Sequence, residues 1–63
     1  MNDEMQAIYD DVCRVIGGAV AMLKESNQPV TKNTINLMLQ AHSDQNGDPY
    51  LARIYGVAKD VMA

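Results

Sequence analysis

Apolar residues recur at helical spacing in three stretches of the chain, and polar residues fill the positions between them. The first stretch predicts a helix from about Asp3 to Ser26. Its apolar positions form two neighbouring rows, the first with Met5, Ile8, Val12, Val15, Ala19 and Met22, the second with Tyr9, Cys13, Ile16, Val20 and Leu23. Because the rows lie side by side, we expect a helix with a wide apolar face.

A second helix is predicted after a short polar break. Pro29 disfavours helical geometry at the residue before it. Thr31 is a good N-cap, and we expect the helix to run from there to about His42 or Ser43. Its apolar positions are Ile35, Leu37, Met38, Leu39 and Ala41. The residues from Ser43 to Gly47 are predicted to form a loop.

The third helix has the clearest predicted start. Asp48 can cap it, and Pro49 occupies the first helical position, where its missing N–H costs nothing. Apolar residues then follow at helical spacing: Tyr50, Leu51, Ile54, Val57, Ala58, Val61 and Met62. Two short connections favour a compact three-helix arrangement. The chain, residues 1–63, is therefore predicted to be one all-α domain.

The length of 63 residues affects how this domain can be stabilised. A domain of this size buries only about 60% of the surface that its unfolded chain exposes. The apolar face of the first helix is wider than two short helices can cover. An uncovered apolar face on a marginally stable domain favours self-association. We therefore predict a homodimer with the first helix in its interface.

Charge and composition exclude several classes of function. Eight acidic and five basic side chains give a net charge of −3, which disfavours nonspecific binding to nucleic acid or membranes. Cys13 and His42 are the single residues of their types, so we expect no disulfide framework, no metal site and no cofactor. The acidic N-terminus does not resemble a signal peptide, and no apolar run approaches membrane-spanning length. We expect a cytoplasmic protein, complete as it stands.

Two residues are candidates for catalytic chemistry. The Arg14 guanidinium can clamp a carboxylate, although surface pairing with Asp10 or Asp11 at helical spacing is the favoured interpretation. His42 can transfer a proton near neutral pH. Its place at the end of the second helix favours an ordinary surface histidine, since a partial positive charge suits that end of the helix dipole.

Two features of the first helix are interpreted structurally. Cys13 lies among apolar residues, and we expect it to be a small buried hydrophobic side chain rather than a nucleophile. Gly17 and Gly18 each cost about 1 kcal/mol in a helix interior relative to alanine. We expect them to allow close packing of another helix or a kink.

The second and third helices can also be interpreted as a helix-turn-helix, entered through residues 29–34. Their cations are Lys32, Arg53 and Lys59, and Asp60 opposes the last of these. No basic stripe results that would meet phosphate groups. Nucleic-acid binding is therefore disfavoured.

The first helix resembles a known family. The segments Ile8-Tyr9, Cys13-Arg14-Val15-Ile16-Gly17, Val20, Lys24-Glu25 and Gln28-Pro29 are similar to the short enterobacterial proteins called fumarase D (YdhZ). The resemblance implies fumarate hydratase activity, the reversible addition of water to fumarate to give malate. Such a reaction needs an acid, a base and cations that hold two carboxylates. Under this interpretation Arg14 would be the carboxylate clamp and His42 the proton-transfer group.

A second resemblance is to the YmgB/AriR family of biofilm and acid-resistance regulators. It rests on Ile16-Gly17, Ala19-Val20, Leu23, Val30-Thr31, Asn33 and Ile35. That resemblance implies a small, helical, dimeric protein that acts through partners or promoters.

Two functions of different classes follow. The favoured prediction is a non-catalytic interaction or regulatory module, because the titratable groups of the chain do not cluster. The alternative is a fumarate hydratase, as the resemblance to fumarase D implies.

Overall fold

The computed structural model describes residues 3–63, and it consists of three α-helices. These are α1 (Asp3–Glu25), α2 (Lys32–Gln45) and α3 (Pro49–Val61). Each helix packs against both of the others. No strand occurs within these residues, which confirms the prediction of an all-α, compact three-helix domain. Met1 and Asn2, which belong to the predicted acidic N-terminus, lie outside the described residues.

The α1 helix ends in a turn that reverses the chain toward α2. Asn27 adopts a left-handed conformation with φ of 56°. The N–H of Gln28 donates to the carbonyl of Leu23 at 2.9 Å, and the N–H of Asn27 donates to that of Lys24 at 3.1 Å. This pair of bonds is a Schellman motif, in which asparagine tolerates the left-handed position that glycine usually fills. Pro29 follows and prevents the helix from continuing.

The predicted N-cap of α2 is confirmed. Thr31 has an extended backbone, and its hydroxyl accepts a hydrogen bond from the N–H of Thr34 at 3.1 Å. The N–H of Thr31 donates in return to the hydroxyl of Thr34 at 2.9 Å. The two threonines therefore form a reciprocal capping box.

The C-terminal boundary predicted for α2 was wrong. The helix continues past Ser43 to Gln45, and the loop comprises only residues 46–48. Gln40 donates to the Asp44 carboxylate at 2.8 Å, one helical turn away. This contact supports helical geometry among residues that are usually found in loops. The predicted start of α3 is confirmed, because Asp48 accepts the N–H of Tyr50 at 2.8 Å and Pro49 follows the cap.

The core is small and draws on all three helices. Its buried side chains are Val12, Ala19, Leu23, Ile35, Leu39, Ile54 and Ala58. All seven belong to the apolar positions that the sequence pattern predicts. No polar side chain is fully buried among residues 3–63. Such a core fits a domain of marginal stability.

The structure corrects two predictions for α1. Cys13 is exposed, so the prediction of a buried thiol was wrong. Gly17 and Gly18 are also exposed, and a Cβ placed on either would meet no atom within 4 Å. They do not serve close packing against α2 or α3. The pattern identified an apolar face, but α2 and α3 cover only part of it.

Candidate functional site

An apolar groove runs between α1 and α3 and has a volume of about 430 Å³. The N-terminal half of α1 and one face of α3 form its walls. From α3 the groove is lined by Arg53, Val57 and Val61, spaced four residues apart. Its lining from α1 consists of Met5, Ile8, Tyr9, Val12, Cys13 and Ile16.

The rim of this groove is exposed to an unusual degree for apolar side chains. Met5, Tyr9 and Val61 are each 64% exposed. Single exposed apolar residues are normal on a protein surface, whereas a contiguous exposed group is uncommon on a monomer and is typical of interaction surfaces and ligand grooves. The geometry therefore favours burial of this region against another apolar surface.

The groove contains one charged side chain. Arg53 lines it, and no carboxylate does. An apolar groove with a single cation can accept hydrophobic side chains. Holding both carboxylates of a small dicarboxylate calls for more than one cation, and Arg53 is the single cation among the described lining residues.

A hydrogen bond joins α1 and α3 near the N-terminus of α3. The Tyr50 hydroxyl donates to Oδ2 of Asp11 at 2.5 Å. This bond to the carboxylate raises the pKa of Tyr50, and desolvation and the negative charge of Asp11 add to the increase, while Arg53 opposes it. Sequence reasoning assigned Asp11 to Arg14 and missed this bond, because residues 39 positions apart share no local pattern.

Arg14 lies on the exposed surface of α1. Its expected pairing with Asp10 or Asp11 does not occur among residues 3–63; Asp10 accepts a hydrogen bond from Gln6 at 2.9 Å, and Asp11 accepts one from Tyr50. Arg14 does not line the groove. The guanidinium is therefore available to a partner in solution.

His42 occupies the last turn of α2, as expected, and is half-buried. Its ring meets that of Tyr55 edge to face, with centroids 6.2 Å apart and planes at 66°. This contact gives the imidazole a packing role that its sequence position does not reveal. The structure places His42 in the contact between α2 and α3, and it does not line the groove that Arg53 borders.

A smaller depression of about 220 Å³ lies between the end of α1 and α2. Leu37, which is 63% exposed, belongs to its lining. Leu37 thus matches Tyr9 in exposure but lies outside the larger groove. The pair offers a matched comparison of two apolar surfaces.

The described residues offer no other site of recognisable chemistry. Residues 3–63 contain no group of three or more His, Cys, Asp or Glu side chains that could hold a metal ion. None of the helices in that range is both long enough and apolar enough to cross a membrane.

Comparisons with known proteins supply no relative. No family model matches the chain, and neither a curated protein nor a solved structure matches it significantly.

Sequence reasoning identified the α1 side of the groove but not its α3 side. Arg53, Val57 and Val61 are four residues apart, and this spacing places them on one helical face. The spacing was a usable signal. Pairing that face with α1 required the direction in which α3 packs, which the pattern of a single helix does not contain.

Proposed function

We propose that the protein is a small non-catalytic interaction module that acts as a homodimer, with α1 in the dimer interface. The observation that carries this proposal is the apolar groove between α1 and α3. Its exposed rim consists of Met5, Tyr9 and Val61.

The free energy of apolar burial and the area of a standard interface support association through this region. Burial of apolar surface contributes roughly 25 cal/mol per Å², so covering a contiguous apolar rim is favourable even for a small protein. A standard interface buries about 800 Å² on each partner. That area is about a fifth of the 4379 Å² of accessible surface on one chain. The groove and the adjoining face of α1 provide a surface suited to an interface of this kind.

A cytoplasmic location fits the same proposal. Cys13 is a free, exposed thiol, which is compatible with a compartment that keeps thiols reduced. The net charge of −3 gives phosphate backbones no attraction. We therefore propose protein partners for the dimer rather than nucleic acid.

The alternative function is hydration of fumarate. It rests on the resemblance of α1 to fumarase D and on the exposed guanidinium of Arg14, which has no ion pair within residues 3–63. His42 would be the proton-transfer group. Fumarate absorbs ultraviolet light and malate absorbs much less, so loss of absorbance measures the reaction. Turnover by protein from a host that lacks its major fumarases, reduced in Arg14→Ala, would favour this alternative.

The interaction proposal is tested by sedimentation equilibrium of two matched variants. Tyr9→Glu places a charge on the groove rim, whereas Leu37→Glu places one on an equally exposed site elsewhere. Burying an unpaired carboxylate is strongly unfavourable. We expect Tyr9→Glu to be monomeric at concentrations where wild type and Leu37→Glu are dimeric. Equal association of all three proteins would contradict the proposed interface.

A further inference from the structure

A ridge of residues four apart runs along the exposed side of α1, next to the groove. It consists of Met5, Tyr9, Cys13, Gly17 and Ala21, all of them exposed. Residues four apart lie one above another on the same face of a helix. No member of this α1 ridge is charged. Its N-terminal half is bulky, and its C-terminal half is nearly flat.

We propose that two copies of the chain pair their α1 ridges in antiparallel orientation, with Cys13 of both copies at the two-fold axis. This inference rests on the proposed homodimer and specifies how its subunits meet. In this register the bulky residues of one ridge face the small residues of the other, so that Tyr9 packs over Gly17 and Met5 over Ala21. Ridges formed by residues four apart can interdigitate between two helices.

Steric fit distinguishes this arrangement from a parallel one. Parallel ridges would oppose Tyr9 to Tyr9 and Gly17 to Gly17, which leaves a bulge at one end and a gap at the other. Interfaces, like protein interiors, favour close packing without voids. Antiparallel pairing removes both defects in a symmetric, self-complementary contact.

The glycine at position 17 supports the same register. A Cβ at Gly17 would meet nothing within 4 Å in the isolated chain. The chain's own packing gives no reason for a residue that destabilises helix interiors, and the same is true of Gly18, which lies off the ridge. A tyrosine ring from a second copy needs a flat site of this kind on the facing helix.

Charge at the two ends of α1 also favours the antiparallel arrangement. Asp3 lies in the first turn of the helix and Lys24 in the last. Antiparallel pairing places the acidic first turn of each copy at the same end as the basic last turn of the other, and it opposes the two helix dipoles. Parallel pairing would bring the acidic first turns of two negatively charged chains together. Negative charges brought side by side in this way repel each other.

The ridge and the groove form one continuous surface. Met5, Tyr9 and Cys13 belong to both. A second α1 that crosses the ridge would therefore also cover the groove against Val57 and Val61. The exposed rim that supports the homodimer is buried by the same contact.

The orientation can be tested by disulfide exchange between two single-cysteine chains. Both carry Cys13→Ser; one also carries Met5→Cys, and the other Ala21→Cys. Light scattering first establishes that each chain is dimeric. The chains are then mixed in a buffer of reduced and oxidised glutathione, in which disulfides exchange to equilibrium. A disulfide forms without strain only between cysteines whose Cα atoms lie about 4.4–6.8 Å apart.

We expect the mixed disulfide, position 5 to position 21, to exceed either symmetric disulfide by about tenfold or more. Symmetric disulfides in excess, or random pairing in chains that are dimeric, would overturn the antiparallel register and leave the homodimer standing. Monomeric chains at tens of micromolar would overturn the homodimer and the register together.

Discussion

The α3 helix packs against α2 on one side and α1 on the other, and the two contacts differ in how completely they are closed. Side-chain pairs span the α2–α3 contact: Gln40 with Lys59, Asn36 with the carbonyl of Met62, and His42 with Tyr55. The α1–α3 contact has one such pair, Tyr50 with Asp11, and beside it the open apolar groove.

Helix length explains this difference. The α1 helix has 23 residues and α3 has 13, which at 1.5 Å per residue correspond to about 35 and 20 Å. The 14 residues of α2 match α3 closely. Two short helices can therefore close their mutual contact, while a longer apolar helix remains partly uncovered. The apolar groove that α2 and α3 leave open therefore lies along α1, where its exposed rim includes Met5 and Tyr9.

The largest expected effect on stability comes from truncating a core side chain of α3, the helix that takes part in both contacts. Ile54 of α3 is fully buried, and truncating a buried Ile to Ala typically costs about 2–5 kcal/mol. We expect Ile54→Ala to lose most of the stability of so small a domain, measured by urea unfolding followed by circular dichroism. Leu37→Ala, at an exposed site, should change the free energy of unfolding by no more than about 0.5 kcal/mol. Equal losses in both variants would contradict the assigned core.

A second prediction distinguishes the α1 ridge from the rest of the exposed surface of α1. Gly17 and Gly18 are both exposed and have no neighbour within 4 Å of a Cβ. Glutamine at either position should stabilise the helix by up to about 1 kcal/mol relative to glycine. Only Gly17 lies on the α1 ridge. Gly17→Gln should therefore weaken self-association by about tenfold, equivalent to about 1.4 kcal/mol.

Gly18→Gln is the matched control for that variant, and it should leave the dimer dissociation constant nearly unchanged in sedimentation equilibrium. If both substitutions weakened association equally, or neither did, the ridge would not be the contact surface.

The α2–α3 contact contains a half-buried polar side chain whose effect on the free energy of unfolding can be measured. Asn36 is half-buried, and its Nδ2 donates to the Met62 carbonyl at the long distance of 3.5 Å. Its Oδ1 is buried and accepts no hydrogen bond from the described residues. Leaving a buried polar group unpaired costs about 1–3 kcal/mol. We expect Asn36→Leu to raise the free energy of unfolding by about 1 kcal/mol without changing self-association.

Thermal unfolding at several denaturant concentrations would measure this gain. A loss of stability in Asn36→Leu would show that the hydrogen bond to Met62 outweighs the unpaired oxygen.

The smallest expected effect occurs only at alkaline pH and concerns the hydrogen bond between Tyr50 of α3 and Asp11 of α1. The pKa of Tyr50 is raised in the folded state, chiefly by its bond to Asp11. A raised pKa contributes stability below the unfolded value of about 10, and that contribution disappears as pH rises through the folded pKa. Wild type should therefore lose slightly more stability than Tyr50→Phe between pH 9 and 11. Parallel stability curves for the two proteins would contradict the role of this bond.

The fold could be predicted from the sequence to a large extent, because periodicity, Thr31, Asp48 and Pro49 are local signals. The end of α2 could not be predicted, since Ser43 is compatible with either a loop or a final helical turn. A tertiary or side-chain contact decides between them, as the bond from Gln40 to Asp44 illustrates.

The candidate site was less predictable. An apolar row indicates which face of α1 is hydrophobic, and it does not indicate how far α2 and α3 extend along that face. Cys13 was therefore expected inside the core and lies outside it. The pairing of Tyr50 with Asp11 and the contact of Val61 with the groove depend on how α3 is oriented, which only the assembled structure provides.

The central claim is that the open side of α1 is closed by a second copy of the chain. Light scattering of the purified protein at tens of micromolar measures this most directly. The claim predicts a mass of twice the 6.9 kDa of one chain, falling toward the single-chain value in Tyr9→Glu and not in Leu37→Glu. A wild-type mass of one chain at that concentration would contradict it.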